Sequence, residues 1–282
     1  MESGPGARLF ETESGCVLQV NIFLVLAYLF FIGSLVGWGI EVIFRRFFSS
    51  ANPERKWINP GFLVGPCIPL YGFGLCVLFL LASLEAYLPI DNDVWRKLVL
   101  FVGMALCVTA VEYAAGLLSV KVMKVKLWDY STQWGNIQGI ICPKFSLAWA
   151  LLSAVYYFFI HPYILDGLRW LSENLAFSFC IGFYFGILVI DVAYSAQLLV
   201  KIRRFAEEKE IVVKFEELKS HIRAVSEKNK ARARFLFAMR SPAALPEHLR
   251  QYYDSHRERF EQLAALHRKA EAHRARKKAG KH

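Results

Sequence analysis

Three carboxylates, Glu41, Glu112 and Asp191, stand inside long apolar stretches of a 282-residue chain. Counted back from the first basic residue after each stretch (Arg45, Lys121 and Lys201), they lie 4, 9 and 10 residues deep. At a helical rise of 1.5 Å per residue that is about 6, 14 and 15 Å. An ionised carboxylate at such depth in hydrocarbon costs at least about 2.5 kcal/mol, so each must face a partner, a cavity or a subunit interface. Two chemistries fit: a polar pathway for cations, protons or a polar substrate, or an acid that hydrogen-bonds a neighbouring helix. For Glu41 the second is the stronger, because Arg45 lies one turn on and the pair can reach the interface together. Small residues cluster alongside. Gly33, Ser34, Gly37 and Gly39 precede Glu41, and Ala114, Ala115 and Gly116 follow Glu112. Gly33-x-x-x-Gly37 has the spacing that lets two helices approach closely.

A second set of candidates lies in the segments that follow the first two acids. After Glu41 come Trp57, Asn59, Gly61, Cys67 and Pro69; after Glu112 come Trp134, Asn136, Gly139, Cys142 and Pro143. The order suggests a parallel repeat of two spans plus a loop, with a fifth span as an extra half-unit. The stretch 59–69 holds three prolines, at 60, 66 and 69, and runs into Tyr71 and Gly72. Proline removes a backbone donor and clashes with the preceding turn, so the second span must begin broken or kinked. Irregular backbone at membrane depth survives only against protein or a water-filled cavity. One reading is therefore a vestibule lined by Asn59, Gly61, Gly65, Pro66, Pro69, Tyr71 and Gly72 from the first loop. Trp128, Asp129, Tyr130, Asn136 and Gly139 would line it from the second. The other reading is a kinked helix start packed shut.

The elements that position these residues are membrane spans. The chain is 55% hydrophobic and 21% charged, too apolar for an ordinary soluble domain and too charged for a wholly buried one. A bilayer core of about 30 Å needs roughly 20 apolar residues in a helix. Five stretches qualify: 17–44, 63–84, 98–120, 145–165 and 175–200. The first has too long an apolar run, and too little basic charge before it, for a cleaved signal. His161-Pro162 is expected to end the fourth near the outer face, the histidine being structural. Residues 201–282 hold 22 Lys and Arg against 11 Asp and Glu, whereas the first 200 are nearly neutral. With five spans, the segments on the tail's side (45–62, 121–144, 201–282) carry 30 of the 34 basic residues. Basic residues resist translocation, which places the N-terminal segment 1–16 outside and the tail in the cytoplasm. The expected fold is all-α: a five-helix membrane domain over 17–200 and a basic cytoplasmic helical tail over 201–282. The six cysteines include no CxxC pair and most sit in apolar runs, as reduced core residues do.

The strings at 37–41 (GWGIE), 59–66 (NPGFLVGP), 69–74 (PLYGFG), 128–131 (WDYS), 136–139 (NIQG) and 141–142 (IC) resemble a bacterial family of integral membrane proteins, the ABC-transporter permease (type IV) family. The similarity covers roughly 22–165 and stops short of the tail. Family members carry an arginine where Pro60 stands here. The resemblance implies a multi-pass membrane subunit energised by a separate ATPase. The chain itself has no G-x-x-x-x-G-K-[ST] phosphate loop, no HExxH, no metal-spaced Cys/His set and no G-x-S-x-G. Neither a cofactor nor a metal is expected, and no enzymatic activity.

In the tail, Ile211, Phe215, Leu218, Ile222 and Val225 are spaced 4, 3, 4, 3, and the seam continues through Asn229 and Arg232 to Leu236. Ser241-Pro242 and Pro246 interrupt it, and Leu249, Tyr253, His256, Phe260 and Leu263 repeat the spacing. Two heptad helices about a proline-containing turn read as an antiparallel hairpin or as a coiled-coil seam for a partner. The basic flanks suit anionic lipid headgroups, and positive-inside charge accounts for 274–278 without nucleic acid. Three functions follow: a permease-like subunit in the plasma membrane, a scaffold or sensor that recruits partners through its tail, or a membrane-embedded enzyme using 128–131, which lacks a nucleophile–base pair. Five spans are few for a pore, so a homo-oligomer is expected.

Overall fold

The computed structural model describes residues 22–49, 52, 54–228, 245–257, 261 and 265. The expected N-terminal segment 1–16, the start of the first span, Cys16 and the tail residues Asn229, Arg232, Leu236, Ser241-Pro242, Phe260, Leu263 and 274–278 lie outside the described residues. Five helical runs are long and apolar enough to cross a membrane: Ile22–Phe47, Pro69–Tyr87, Asp93–Lys121, Pro143–Ile164 and Ala176–Glu208. Their number and order agree with the hydropathy of the sequence. The helices are α1 (Ile22–Phe47), α2 (Pro69–Ser83), α3 (Asp93–Lys121), α4 (Pro143–Val155), α5 (His161–Glu173), α6 (Leu175–Glu208), α7 (Phe215–Lys228) and α8 (Leu245–Ser255). Two short strands, β1 (Val125–Lys126) and β2 (Val213–Lys214), pair in parallel, an exception to the all-α expectation.

Three boundaries depart from the sequence pattern. The second span was expected from residue 63, but α2 begins at Pro69, because Pro66 and Pro69 hold 61–68 out of helix. Pro69 occupies the first turn of α2, where a missing N–H costs nothing, after an extended Ile68. Pro143 opens α4 in the same way after an extended Cys142. His161-Pro162 lies in the last turn of the fourth membrane-capable run, which closes at Ile164, but it does not end the helix. A π-helical turn over Tyr156–Ile160 precedes it, the His161 amide reaching back five residues to the Tyr156 carbonyl, and α5 continues to Glu173. The widened turn accommodates the proline without breaking the helix. Finally, α6 continues to Glu208 rather than ending near 200.

Contacts divide the chain into two compact units, Met1–Ala115 with Asp129–Tyr194, and Gly116–Trp128 with Ser195–His282. In the first, α1 lies along α2. The closeness comes from glycine: a Cβ on Gly33 would meet the Tyr71 carbonyl at 3.0 Å, and one on Gly37 would overlap the Tyr71 ring. The core of this unit gathers Tyr28, Leu29, Phe79, Met104, Val108, Tyr156 and Ile181. Within a bilayer such close packing, not exclusion of water, holds helices together.

The second unit is built around β1 and β2, in register Val125↔Val213 and Lys126↔Lys214. Both valines are fully buried. The expected seam starting at Ile211 is therefore interrupted: Val213–Lys214 is strand, and helix resumes at Phe215. α7 packs on α8. The Tyr252 hydroxyl donates to Glu217 Oε2 at 3.3 Å, while the His221 ring stands 6.5 Å from His248. Residue numbers rise on α7 as they fall on α8, the sense of an antiparallel pair. The buried stripe on α8 is His248, Leu249 and Tyr252, one residue off the expected Leu249–Tyr253 seam. Tyr253 turns instead to Phe205 and Lys209. Phe215, Leu218, Ile222 and Tyr252 are each at most 1% exposed, and burying such side chains contributes about 1.5–3 kcal/mol apiece.

His221 carries a pH consequence. Burial first, then the neighbouring His248 and His256, lower its pKa from 6.5, against the pull of Gln251. A histidine depressed in the fold binds its proton more readily when unfolded, so its contribution is present above pH 6.5 and lost as pH falls below it. Relative to the intrinsic exchange rate at each pH, amides of α7 in the full-length protein should be less protected from deuterium exchange at pH 5.5 than at pH 7.5. The His221→Gln variant should lose most of that difference, and an unchanged difference would assign it elsewhere.

Candidate functional site

Loop 59–68 is a self-bonded structure. Asn59, 3% exposed, donates through Nδ2 to the carbonyls of Leu63 (3.2 Å) and Val64 (2.9 Å) and accepts from the Trp38 indole at 2.7 Å. Gly61 sits at φ +75°, a turn that a side chain disfavours. The fold aims two successive amides outward: Val64 N and Gly65 N donate to Asp191 Oδ1 and Oδ2 at 3.0 and 2.7 Å. The third of the three acids, Asp191 on α6, is thereby a clasp on the first loop. Beside it the Tyr184 hydroxyl donates to Cys67 Sγ at 3.0 Å, and burial raises the Cys67 pKa.

Loop 129–141 is built the same way. Asn136 donates to the carbonyls of Ser131 (3.3 Å) and Gln133 (2.8 Å) and accepts from the Gly139 amide (2.9 Å). Asp129 accepts from the amide and hydroxyl of Ser131. Gly139 lies at φ +65°, and the Tyr130 amide bonds its carbonyl at 2.9 Å. The result is a fixed Tyr130, its ring stacked on Phe145 at 4.3 Å and its hydroxyl donating to Glu112 Oε1 at 3.2 Å. Burial, then the Glu112 and Glu41 carboxylates, push the Tyr130 pKa up, so it stays a donor.

The acids therefore divide. Glu41 and Glu112 belong to one cluster with Tyr71, Tyr130 and Trp149, whereas Asp191 belongs to the clasp. Glu41 pairs with Arg45 at 3.1 Å and accepts from the Tyr71 hydroxyl at 3.4 Å. Tyr71 lies 4.8 Å from Trp149, centroid to centroid, and Trp149 also stands beside Glu112. Glu112 is 2% exposed, and its Oε2 has no well-formed hydrogen bond. Of the loop residues expected to line a vestibule, Asn59, Asp129, Asn136, Gly61 and Gly139 shape their own loops. Gly65 and Gly72 are close-approach points, Pro66 and Pro69 terminate the irregular stretch, and Tyr71 and Tyr130 reach the acids. Trp128 falls in the other unit.

Trp149 and Tyr184 were not reached from sequence, and Trp38 entered only as part of the string 37–41. Tyr184 had a signal, since it precedes Asp191 by two helical turns and shares its face. Trp149, four residues after Phe145, likewise shares a face with it, but nothing in the sequence tied that face to Glu112.

The family model described as Putative ABC-transporter type IV matches residues 28–196. The chain belongs to that family. The matched stretch takes in both loops, the Glu41–Glu112 cluster and Asp191, extending beyond the 22–165 expected, and ends before the basic tail. Membership and five membrane-capable helices make this a multi-pass membrane protein of the ABC-transporter type IV family. No curated protein and no solved structure matches the chain.

Proposed function

We propose that the chain is the permease-like membrane subunit of an ABC-type transporter, energised by a separate ATPase that performs the hydrolysis this chain has no phosphate loop to perform. One observation carries the reading: two carboxylates within apolar helices, Glu41 and Glu112, meet Tyr71 from the first turn of α2 and Tyr130 from the 129–141 loop, one carboxylate oxygen remaining without a well-formed hydrogen bond. A purely adhesive acid in hydrocarbon has every reason to be fully bonded. A site that exchanges a ligand does not. On this reading the protein lies in the plasma membrane as a homo-oligomer, its basic tail cytoplasmic, and segments 45–62 and 121–144 face the ATPase.

A scaffold or sensor role has its own support: residues 197–282 lie outside the family match and in the second unit. Purification of the tagged protein from native membranes in mild detergent separates the two. A stoichiometric phosphate-loop ATPase, lost when 45–62 or 121–144 is altered, is the expected result. Recovery of copies of itself alone, or of a soluble partner held by 201–282, would favour the scaffold instead.

A further inference from the structure

The Glu41–Glu112 cluster has an unequal charge count. Glu41 has its counter-ion, the Arg45 guanidinium at 3.1 Å. Glu112 has none among the described residues: its neighbours are the Tyr130 hydroxyl at 3.2 Å, the Trp149 indole and, within electrostatic reach, Glu41 itself. With all three groups charged the cluster bears a net −1. It does so within α3, nine residues from its C-terminal Lys121, on a carboxylate 2% exposed. Desolvation and a like charge oppose ionisation there, and the Trp149 and Tyr130 donors only partly offset them. Oε1 accepts from Tyr130, while Oε2 makes no well-formed hydrogen bond.

What would restore neutrality must be small and needs a single oxygen. A hard divalent cation requires six or more oxygen ligands, whereas the groups around Glu112 are aromatic and offer an O–H and an N–H, both donors. The described residues also include no group of three or more His, Cys, Asp or Glu able to hold a metal. One proton satisfies both conditions.

We propose that Glu112 is a proton-binding site, its carboxyl carried un-ionised within the membrane with the exchangeable proton on Oε2. The proposal deepens the permease reading, since it names the ligand of the same cluster. Uptake forms one O–H bond on Oε2 from a solvent proton and replaces a buried charge by a neutral group. Release restores the carboxylate and its repulsion with Glu41. Tyr130, kept a donor by its burial, marks Oε1 as the occupied oxygen.

Infrared spectroscopy of the full-length protein in lipid vesicles tests this without any transport assay. At pH 7 the wild type should show the carbonyl stretch of an un-ionised carboxyl, shifted in D2O, and Glu112→Gln should remove it. Glu41→Gln leaves Glu112 in place but removes the like charge and the Glu41–Arg45 ion pair. It should therefore lower the pH at which the band fades by about one unit or more. Should Glu112→Gln fail to insert, the Glu41→Gln titration decides alone. A wild type without the band at pH 7, or a band indifferent to both substitutions, overturns the proposal. That outcome would leave the permease reading standing if the ATPase still co-purifies, whereas loss of the ATPase with the band intact would spare the proton site.

Discussion

Gly72→Ala is expected to destabilise the protein by about 3 kcal/mol, the upper end of what overpacking a tight contact costs. The added Cβ would overlap Ser34 Oγ and approach the Phe30 carbonyl oxygen to 2.7 Å and the Phe30 ring to 2.8 Å. Ser34 Oγ can rotate, but the carbonyl is backbone of α1 and cannot. Relief then requires α1 and α2 to separate, which also opens the Gly37–Tyr71 contact. Tyr71 would withdraw from Glu41, so the damage reaches the acid cluster. Gly39→Ala is the control, because a Cβ there has nothing within 4 Å. It should be neutral or stabilise by about 0.5–1 kcal/mol through helix propensity. Melting in detergent compares the two. Ser34→Gly in the Gly72→Ala background should recover only part of the loss. A Gly72→Ala protein that melts with the wild type would mean that the helices are not in this contact.

The same contact shows what the sequence made legible. Gly33-x-x-x-Gly37 announced close approach by spacing alone, and the face Gly33–Gly37–Glu41 follows from the helical period. The five spans were equally plain, because a bilayer imposes one length on every apolar run. Boundaries were less so. Hydropathy cannot tell apolar loop from apolar helix, and 63–68 is both apolar and irregular. A proline inside a helix reads as a stop, yet at Pro162 a π-turn absorbs it, a choice set by packing around Tyr156 and Tyr157. The tail misled for a related reason. A 4, 3 spacing through Ile211 is helix-like, but Val213 pairs with Val125, some ninety positions away in the chain, and no local pattern reports that pairing. In the site, the sequence placed three acids in three spans, setting Glu41 apart for its Arg45 but giving Glu112 and Asp191 equal standing. Their division into a pair and a clasp depends on which loop reaches which helix, and that is settled by the backbone of 59–68 and 129–141.

Asp191 is the residue for which this division matters most, and Asp191→Ala is expected to cost about 3 kcal/mol. The amides of Val64 and Gly65 would lose their acceptor, and an unmet buried donor costs about 1–3 kcal/mol. Asp191→Asn is not a mild replacement. Its carboxamide keeps one acceptor and turns an N–H toward the other amide, so one of the two bonds of 3.0 and 2.7 Å must go. Both variants should expose 61–68 to proteolysis and speed deuterium exchange at Val64 and Gly65. The α1 amides around Glu41 should keep their protection. Wild-type protection at Val64 and Gly65 in Asp191→Asn would show that the clasp does not hold the loop. Transport should fall in Asp191→Ala and in Glu112→Gln alike, but for different reasons. The first releases a loop and leaves the Glu112 carboxyl band in place, whereas the second removes the band and leaves the loop protected. An acid that lined the same path as Glu112 would instead alter the band's pH dependence when neutralised, as Glu41→Gln should and Asp191→Asn should not.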